Sequence, residues 1–316
     1  MTAGRPSGEM GDQANAADMR AAADALAAGS VVVVRQGQNW LGIARARSRA
    51  DLLALPGVDA DSLGPTAGDG TLLASLLPPC GLRAHKLLNR LLPGPVAIRL
   101  GAQGPWIRRP EHPLWQAVAD HREPLLTVCG SGPLPISAAL TLTIGIDPDD
   151  ALIIADGQPM QVLRARDPHR LNEAAAVHLL CVCTGNTCRS PLLATLLQQA
   201  CQQHGLTTVT VDSAGSHAAE GDPISPNSQE CLRARGLDGS RHRSRSIDDL
   251  ELSLYDRIYC MTPGHEAAVL SYGIPDDRVV LVDPEGIPDP FGGPLAAYES
   301  CALVLEAASH RIVETL

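Results

Sequence analysis

The chain has 316 residues and 45% hydrophobic content, which is enough for more than one core, so two domains are expected. Its net charge of −10 argues against a general nucleic-acid binder. No apolar run reaches the roughly 18 residues of a membrane span. The start, MTAGRPSGEMGDQANAAD, lacks a signal-peptide core, and nine cysteines follow no disulfide framework, so a soluble, cytoplasmic protein with reduced thiols is expected.

Residues 1–17 are small and polar without periodicity and read as a disordered tail. From about residue 18, MRAAADALAAG predicts a helix stopped by Gly29, and SVVVV (30–34) a strand. AHKLLNRLLPGP (84–95) predicts a helix broken at Pro93, VAIRL (96–100) a strand and HPLWQAVADH (112–121) a helix. PLLTV (124–128) and ALIIADG (151–157) read as buried strands that end an α/β domain near 165. The polar stretch 166–176, with Pro168, is the expected linker.

The second domain is expected over 177–316. VHLLCVC is a continuous apolar strand, and SPLLATLLQQACQQHG a helix with Pro191 in its first turn and Gly205 as its stop. TTVTVDSAG, DRIYCMT and RVVLV follow as strands, SPNSQECLRARG and PGHEAAVLSYG as helices, and a last helix runs from about Leu295 to Ile312. Strand and helix alternate throughout, which predicts a parallel sheet covered on both faces. The aromatic residues divide in the same way: Trp40, Trp106 and Trp115 precede residue 120, whereas Phe291 and all four tyrosines follow residue 250.

The chemistry concentrates in LLCVCTGNTCRSP (179–191). A strand that feeds a glycine-containing loop and then a helix holds anions, because loop N–H groups converge and the helix N-terminus adds positive potential. Lys86 is the only lysine and lies elsewhere, so this is not a nucleotide P-loop. Cys183 opens the loop, where N–H groups favour a thiolate, and Arg189 closes it with a fork matched to phosphate oxygens. A metal would need about four ligands, and only His178, inside the strand, accompanies Cys181, Cys183 and Cys188. Cys181 shares a strand face with Cys183 and reads as packing. Phosphoryl transfer to sulfur also needs an acid, and PEGIPDPFGGPLAAY (284–298) supplies Asp289 between prolines, followed by Phe291 as a rim aromatic.

Residues 178–316 resemble the low-molecular-weight protein tyrosine phosphatases through VCTGNTCRSP (182–191), DSAG (212–215) and DPFGG (289–293). The resemblance implies a flavodoxin-like parallel sheet and no cofactor or metal. It makes Cys183 the nucleophile, Arg189 the phosphoryl-binding arginine and Asp289 the general acid, then base. Thr184, Gly185, Asn186, Thr187, Cys188, Ser190 and Phe291 become substrate-binding residues, with Asn186 supporting the loop and Ser190 hydrogen-bonded to the thiolate. It further implies a reversible Cys183–Cys188 disulfide as an oxidative off-switch. Thr187 and DPFGG look most like the protein-arginine phosphatase branch, since tyrosine-directed members generally carry an aliphatic residue at that position. A threonine hydroxyl at the pocket floor suits a polar phosphoguanidinium, and an aliphatic residue a flat ring. Thiol-coupled arsenate reductases share the loop but need two further neighbouring cysteines, and Cys231 and Cys260 fall in separate elements.

Residues 18–165 resemble YrdC-like threonylcarbamoyl-AMP synthases through LLPGPVAIRL (91–100) and IRRPEHP (107–113), which implies a twisted α/β fold. RQGQNWLGI (35–43) and VCGSGP (128–133) replace that family's substrate signatures, so a degenerate, inactive module is expected. Arg45, Arg47 and Arg49 are its candidates for an anion, nucleotide or RNA contact, with a solvated cluster as the alternative, and SRHRSRS (240–246) is expected as a solvated loop or docking surface. The resulting functional expectation is a phosphocysteine protein phosphatase acting on a phosphorylated protein, on phosphoarginine ahead of phosphotyrosine. The competing class is a non-catalytic phosphoprotein reader or nucleotide- or RNA-binding protein.

Overall fold

In a computed structural model the described residues are 16–36, 39–67, 70–77, 80–93, 96–100, 105–109, 124–131, 140–143, 151–154, 161–165 and 168–316. Two compact units form, residues 1–80 with 84–174, and residues 81–83 with 175–316. The tail at 1–15 and the helix expected at 112–121 lie outside the described residues. No described helix is long and apolar enough to cross a membrane.

The N-terminal unit begins with α1 (Ala16–Ala27), two residues earlier than expected and followed by Gly29 at φ +86°. Its first sheet runs β3-β6-β2-β1-β7, with β1 Val32–Gln36, β2 Asn39–Arg45, β3 Val58–Thr66, β6 Leu125–Ser131 and β7 Leu140–Thr143. Val32 and Val34 join one apolar cluster with Leu26, while Val31 and Val33 join another with Trp40, as the two-residue strand period requires. A second sheet runs β5-β4-β8-β9, from Trp106–Arg108, Val96–Arg99, Ala151–Ile154 and Gln161–Ala165.

These sheets correct the expectation of parallel pairing throughout. β1 pairs antiparallel with β2, β2 with β6 and β3 with β6, and among the described residues of this unit only β1–β7 and β4–β8 are parallel. Only residues 37 and 38 separate β1 from β2, and two residues can join strands only as a hairpin. The polar stretch read as a linker carries a helix, α5 (Pro168–Ala175), since Pro168 is harmless at a first helical position. Arg47 does not present a free guanidinium: its Nη2 donates to Ala27 O at 3.1 Å.

The C-terminal unit is built on one parallel sheet, β11-β10-β12-β13, from Val209–Gly215, Val177–Cys183, Arg257–Cys260 and Val279–Leu281. β10 is apolar and buried apart from His178, as a central strand covered on both faces must be. One face packs against α6 (Arg189–Gln203), α7 (Pro226–Arg233) and α9 (Leu295–Glu314), where Leu192, Leu196, Cys231 and Leu305 are buried. The other face is covered by α8 (Pro263–Leu270) with Val269, and by Leu252 and Tyr255. The chain leaves β10 to pair first with β11 and later with β12 on its other side, so the strand order reverses at β10. The crevice at the carboxyl end of such a strand is where open α/β sheets bind ligands, and Cys183 is the last residue of β10.

Candidate active site

Residues 184–188 link β10 to α6 as a tight loop around a cavity of about 190 Å3. Cys183, Thr184, Gly185, Thr187, Cys188, Arg189, Asp289 and Phe291 line that cavity. Every residue predicted for the phosphatase site is either in this wall or directly behind it, since Asn186 and Ser190 are fully buried beneath the loop.

The loop is held from below by an unusual residue. Asn186 adopts φ +53°, the left-handed region that asparagine tolerates better than most side chains. Its Nδ2 donates to Ser190 Oγ and to Ser213 Oγ, both at 2.9 Å, and its Oδ1 accepts from the Arg245 N–H at 3.0 Å. The Asn186 carbonyl accepts from His242 Nε2 at 2.6 Å, and the Thr187 carbonyl from the Ser225 N–H at 2.8 Å. Gly215 is required because β11 runs so close to the loop: a Cβ there would meet Thr184 O at 2.3 Å and Asn186 N at 2.9 Å. Buried polar groups satisfied this completely fix a single loop geometry.

Ser190 Oγ lies 3.0 Å from Cys183 Sγ and 3.2 Å from Ala214 O. Its one proton can turn to either acceptor, and a thiolate at Cys183 would draw it. The start of α6 carries no side-chain cap, so its N-terminal N–H groups and positive dipole end remain available to an anion.

Arg189 is 4% exposed. Nη1 donates to Ile287 O at 2.9 Å and Nη2 to Asp289 Oδ2 at 2.5 Å, while the enclosed Nε has no partner among the described residues. A buried guanidinium whose Nε donor is unspent, beside a pocket, is suited to an anionic ligand. Asp289 is 45% exposed, and its Oδ1 accepts from the Phe291 N–H at 3.2 Å. Phe291 stands 74% exposed at the rim.

Burial pushes the thiol of Cys181 well up, chiefly by desolvation, and the residue lies in the core as read from the sequence. Cys183 and Cys188 are both free thiols, and Cys188 Sγ lies 3.7 Å from Tyr298 Oη. Cys231 and Cys260 are buried in separate core clusters, in α7 and β12.

The sequence reading missed the supports. SRHRSRS is not only a solvated loop: His242 and Arg245 hold Asn186, and buried Ser244 accepts from the Asp222 N–H and donates to Ala219 O. Arginines alternating with a small polar residue were the available signal, because an extended stretch turns alternate side chains inward. His265, in the first turn of α8, was also missed; it is 6% exposed and touches Thr184.

Fold and site together define an α/β enzyme of the cysteine-dependent phosphatase class, with its nucleophilic residue type and an anion-binding loop at a sheet switch point. The chain matches the low molecular weight phosphotyrosine protein phosphatase family over residues 178–316. It is 34% identical over 145 residues to a protein-arginine-phosphatase of Geobacillus stearothermophilus, covering 44% of this chain and 95% of that one. It is 29% identical over 145 residues to a protein-arginine-phosphatase of Bacillus subtilis, covering 44% and 95%. To the low molecular weight protein-tyrosine-phosphatase PtpB of Staphylococcus epidermidis it is 35% identical over 127 residues, covering 38% and 86%. The chain belongs to the low molecular weight phosphotyrosine protein phosphatase family and, with it, to the phosphatases.

Proposed function

We propose that the protein removes phosphoryl groups from arginine side chains of other proteins through a phosphocysteine intermediate. The observation that carries this reading is the convergence of Cys183, the buried Arg189 and Asp289 on one small cavity. A phosphoprotein reader has no need of both a nucleophile and an acid in the same pocket. The arginine preference is supported by Thr187 in the pocket wall and by the similarity to protein-arginine-phosphatases.

In this reading the phosphoryl oxygens take the loop N–H groups and the free Nε of Arg189 and displace the Asp289 carboxylate from Nη2. Out of that ion pair and beside the incoming anion, Asp289 takes up a proton from solvent. Cys183 Sγ attacks phosphorus in line as the P–N bond breaks, and Asp289 gives its proton to the leaving guanidine nitrogen. Ser190 turns its hydroxyl to the sulfur, which stabilises the thiolate before attack and as it leaves. Asp289 then takes a proton from the water that hydrolyses the S–P bond. Phe291 walls the substrate side chain at the rim. Oxidation of Cys183 and Cys188 to a disulfide, with loss of two electrons and two protons to a peroxide, would block the nucleophile reversibly.

Hydrolysis of p-nitrophenyl phosphate by wild type, Cys183→Ser and Asp289→Ala tests the chemistry. Loss of activity in Cys183→Ser, by about 10⁴-fold or more, is expected, and unchanged activity removes the mechanism.

For the N-terminal unit we propose a degenerate synthase-like module that recruits or regulates, supported by LLPGPVAIRL and IRRPEHP and by the departures from the synthase signatures. Rescue of a synthase-deficient strain by this chain would contradict it.

A further inference from the structure

The pocket wall contains a hydroxyl hydrogen-bonded to a buried histidine. Thr184 Oγ1 lies 2.9 Å from His265 Nε2, and His265 Nδ1 lies 2.9 Å from Thr262 Oγ1. His265 is clamped in place, since its own N–H donates to Thr262 O at 3.0 Å and its side chain is 6% exposed. Burial and the Arg189 guanidinium, with His217 adding in the same direction and Asp289 opposing, hold the imidazole below its ordinary value of 6.5, so it is neutral at neutral pH. A neutral imidazole has one donor and one acceptor nitrogen, so the chain Thr262–His265–Thr184 is directional.

Thr184 differs from the other loop residues in where it sits. Cys183 and Arg189 are buried at the base of the cavity, whereas Thr184 is exposed at its mouth. A phosphoryl group bound at the base would therefore leave the group it is attached to, rather than its own oxygens, beside Thr184.

We propose that His265 is a positioning residue for substrate choice: its Nε2 accepts the Thr184 hydroxyl proton, so that the Thr184 oxygen faces the pocket mouth as an acceptor for a substrate N–H. This rests on the phosphoarginine reading and deepens it. A phosphorylated guanidinium brings N–H donors to that position, whereas an aryl phosphate brings only ring edges. The selectivity is thus a hydrogen bond that one substrate class makes and the other cannot.

The test compares kcat/KM for a phosphoarginine peptide and for p-nitrophenyl phosphate in wild type, His265→Leu, Thr184→Val, His265→Gln and Thr184→Ser. Loss of one hydrogen bond to a charged group predicts that His265→Leu and Thr184→Val lose about tenfold or more on phosphoarginine. The aryl phosphate activity of His265→Leu should stay within about twofold, a direct check that the phosphate loop remains folded. The losses should not add in the double variant, because both changes remove one interaction. His265→Gln and Thr184→Ser keep an acceptor and a hydroxyl, and should restore most of the ratio. Equal loss on both substrates, or an unchanged ratio, overturns the proposal while leaving phosphoarginine hydrolysis intact. Absence of phosphoarginine turnover in the wild type removes the substrate reading itself, and this inference with it.

Discussion

The two segments that close the candidate pocket are held in different ways. The loop from Cys183 to Ser190 is anchored by buried, hydrogen-bonded side chains: Asn186 alone makes contacts with Ser190, Ser213, His242 and Arg245. The segment around Asp289 is held through its backbone: the Ile287 N–H donates to Met261 O, Arg189 Nη1 donates to Ile287 O, and Asn227 Nδ2 donates to Gly293 O. The Asp289 and Phe291 side chains stand 45% and 74% exposed, with Asp289 on Arg189 and in a short turn to Phe291. Phosphate is the constant part of every substrate of such an enzyme, and a rigid cradle needs no reorganisation to bind it. The leaving group varies between substrates and must be protonated in place, which suits an acid on an adjustable segment. Changes beneath the loop should therefore alter stability and turnover together, and changes at the rim should alter kinetics alone.

The largest effect at the rim is expected from Asp289→Asn, which removes proton transfer to the leaving group. A kcat loss of about 10²–10⁴-fold with an unchanged melting temperature is the expected outcome, measured by steady-state kinetics and thermal unfolding. Beneath the loop, Asn186→Ala should lower kcat by about 10²-fold through misplacement of the loop. The same change should lower stability by about 2–3 kcal/mol by orphaning buried partners, as read from urea denaturation. If Asn186→Ala changed kcat without changing stability, the contrast between floor and rim would fail.

A smaller effect follows from the two histidines behind the loop. His242 is held below its ordinary value of 6.5 by burial, with Arg245 and Arg243 adding to the effect, and His265 by burial and Arg189. Both fold as neutral groups, so the unfolded chain binds protons at a higher pH than the native one. Their contribution is complete above about pH 6.5 and declines as pH falls through the lower native values. The melting temperature should fall between about pH 7.5 and about pH 5, and the fall should be shallower in His242→Gln/His265→Gln. The smallest effect is expected from Phe291→Ala, a severalfold rise in KM for peptide substrates with stability within about 0.5 kcal/mol of wild type.

Most of the pocket wall was legible in the sequence because it is local. Cys183, Arg189 and the residues between them occupy one strand-loop-helix segment, where the apolar run and the helical spacing fix what faces the crevice. Asp289 and Phe291 were legible because an acid between prolines and a lone phenylalanine are out of place in a core. The supports were not, because they are contacts between distant segments: Asn186 meets His242 and Arg245 more than fifty residues away. His265 was hidden for the same reason, since one histidine in a helix start does not announce a bond to a loop on a neighbouring strand. In the N-terminal unit, alternation of strands and helices suggested parallel pairing. The connection between Gln36 and Asn39 was short enough to have shown the hairpin instead.

Substrate preference tests the account most directly. One peptide, phosphorylated on arginine or on tyrosine, should be compared as substrate for the wild type and Thr187→Ile by phosphate release. The wild type should turn over phosphoarginine faster, and the variant should shift toward phosphotyrosine. Faster phosphotyrosine turnover by the wild type would contradict it.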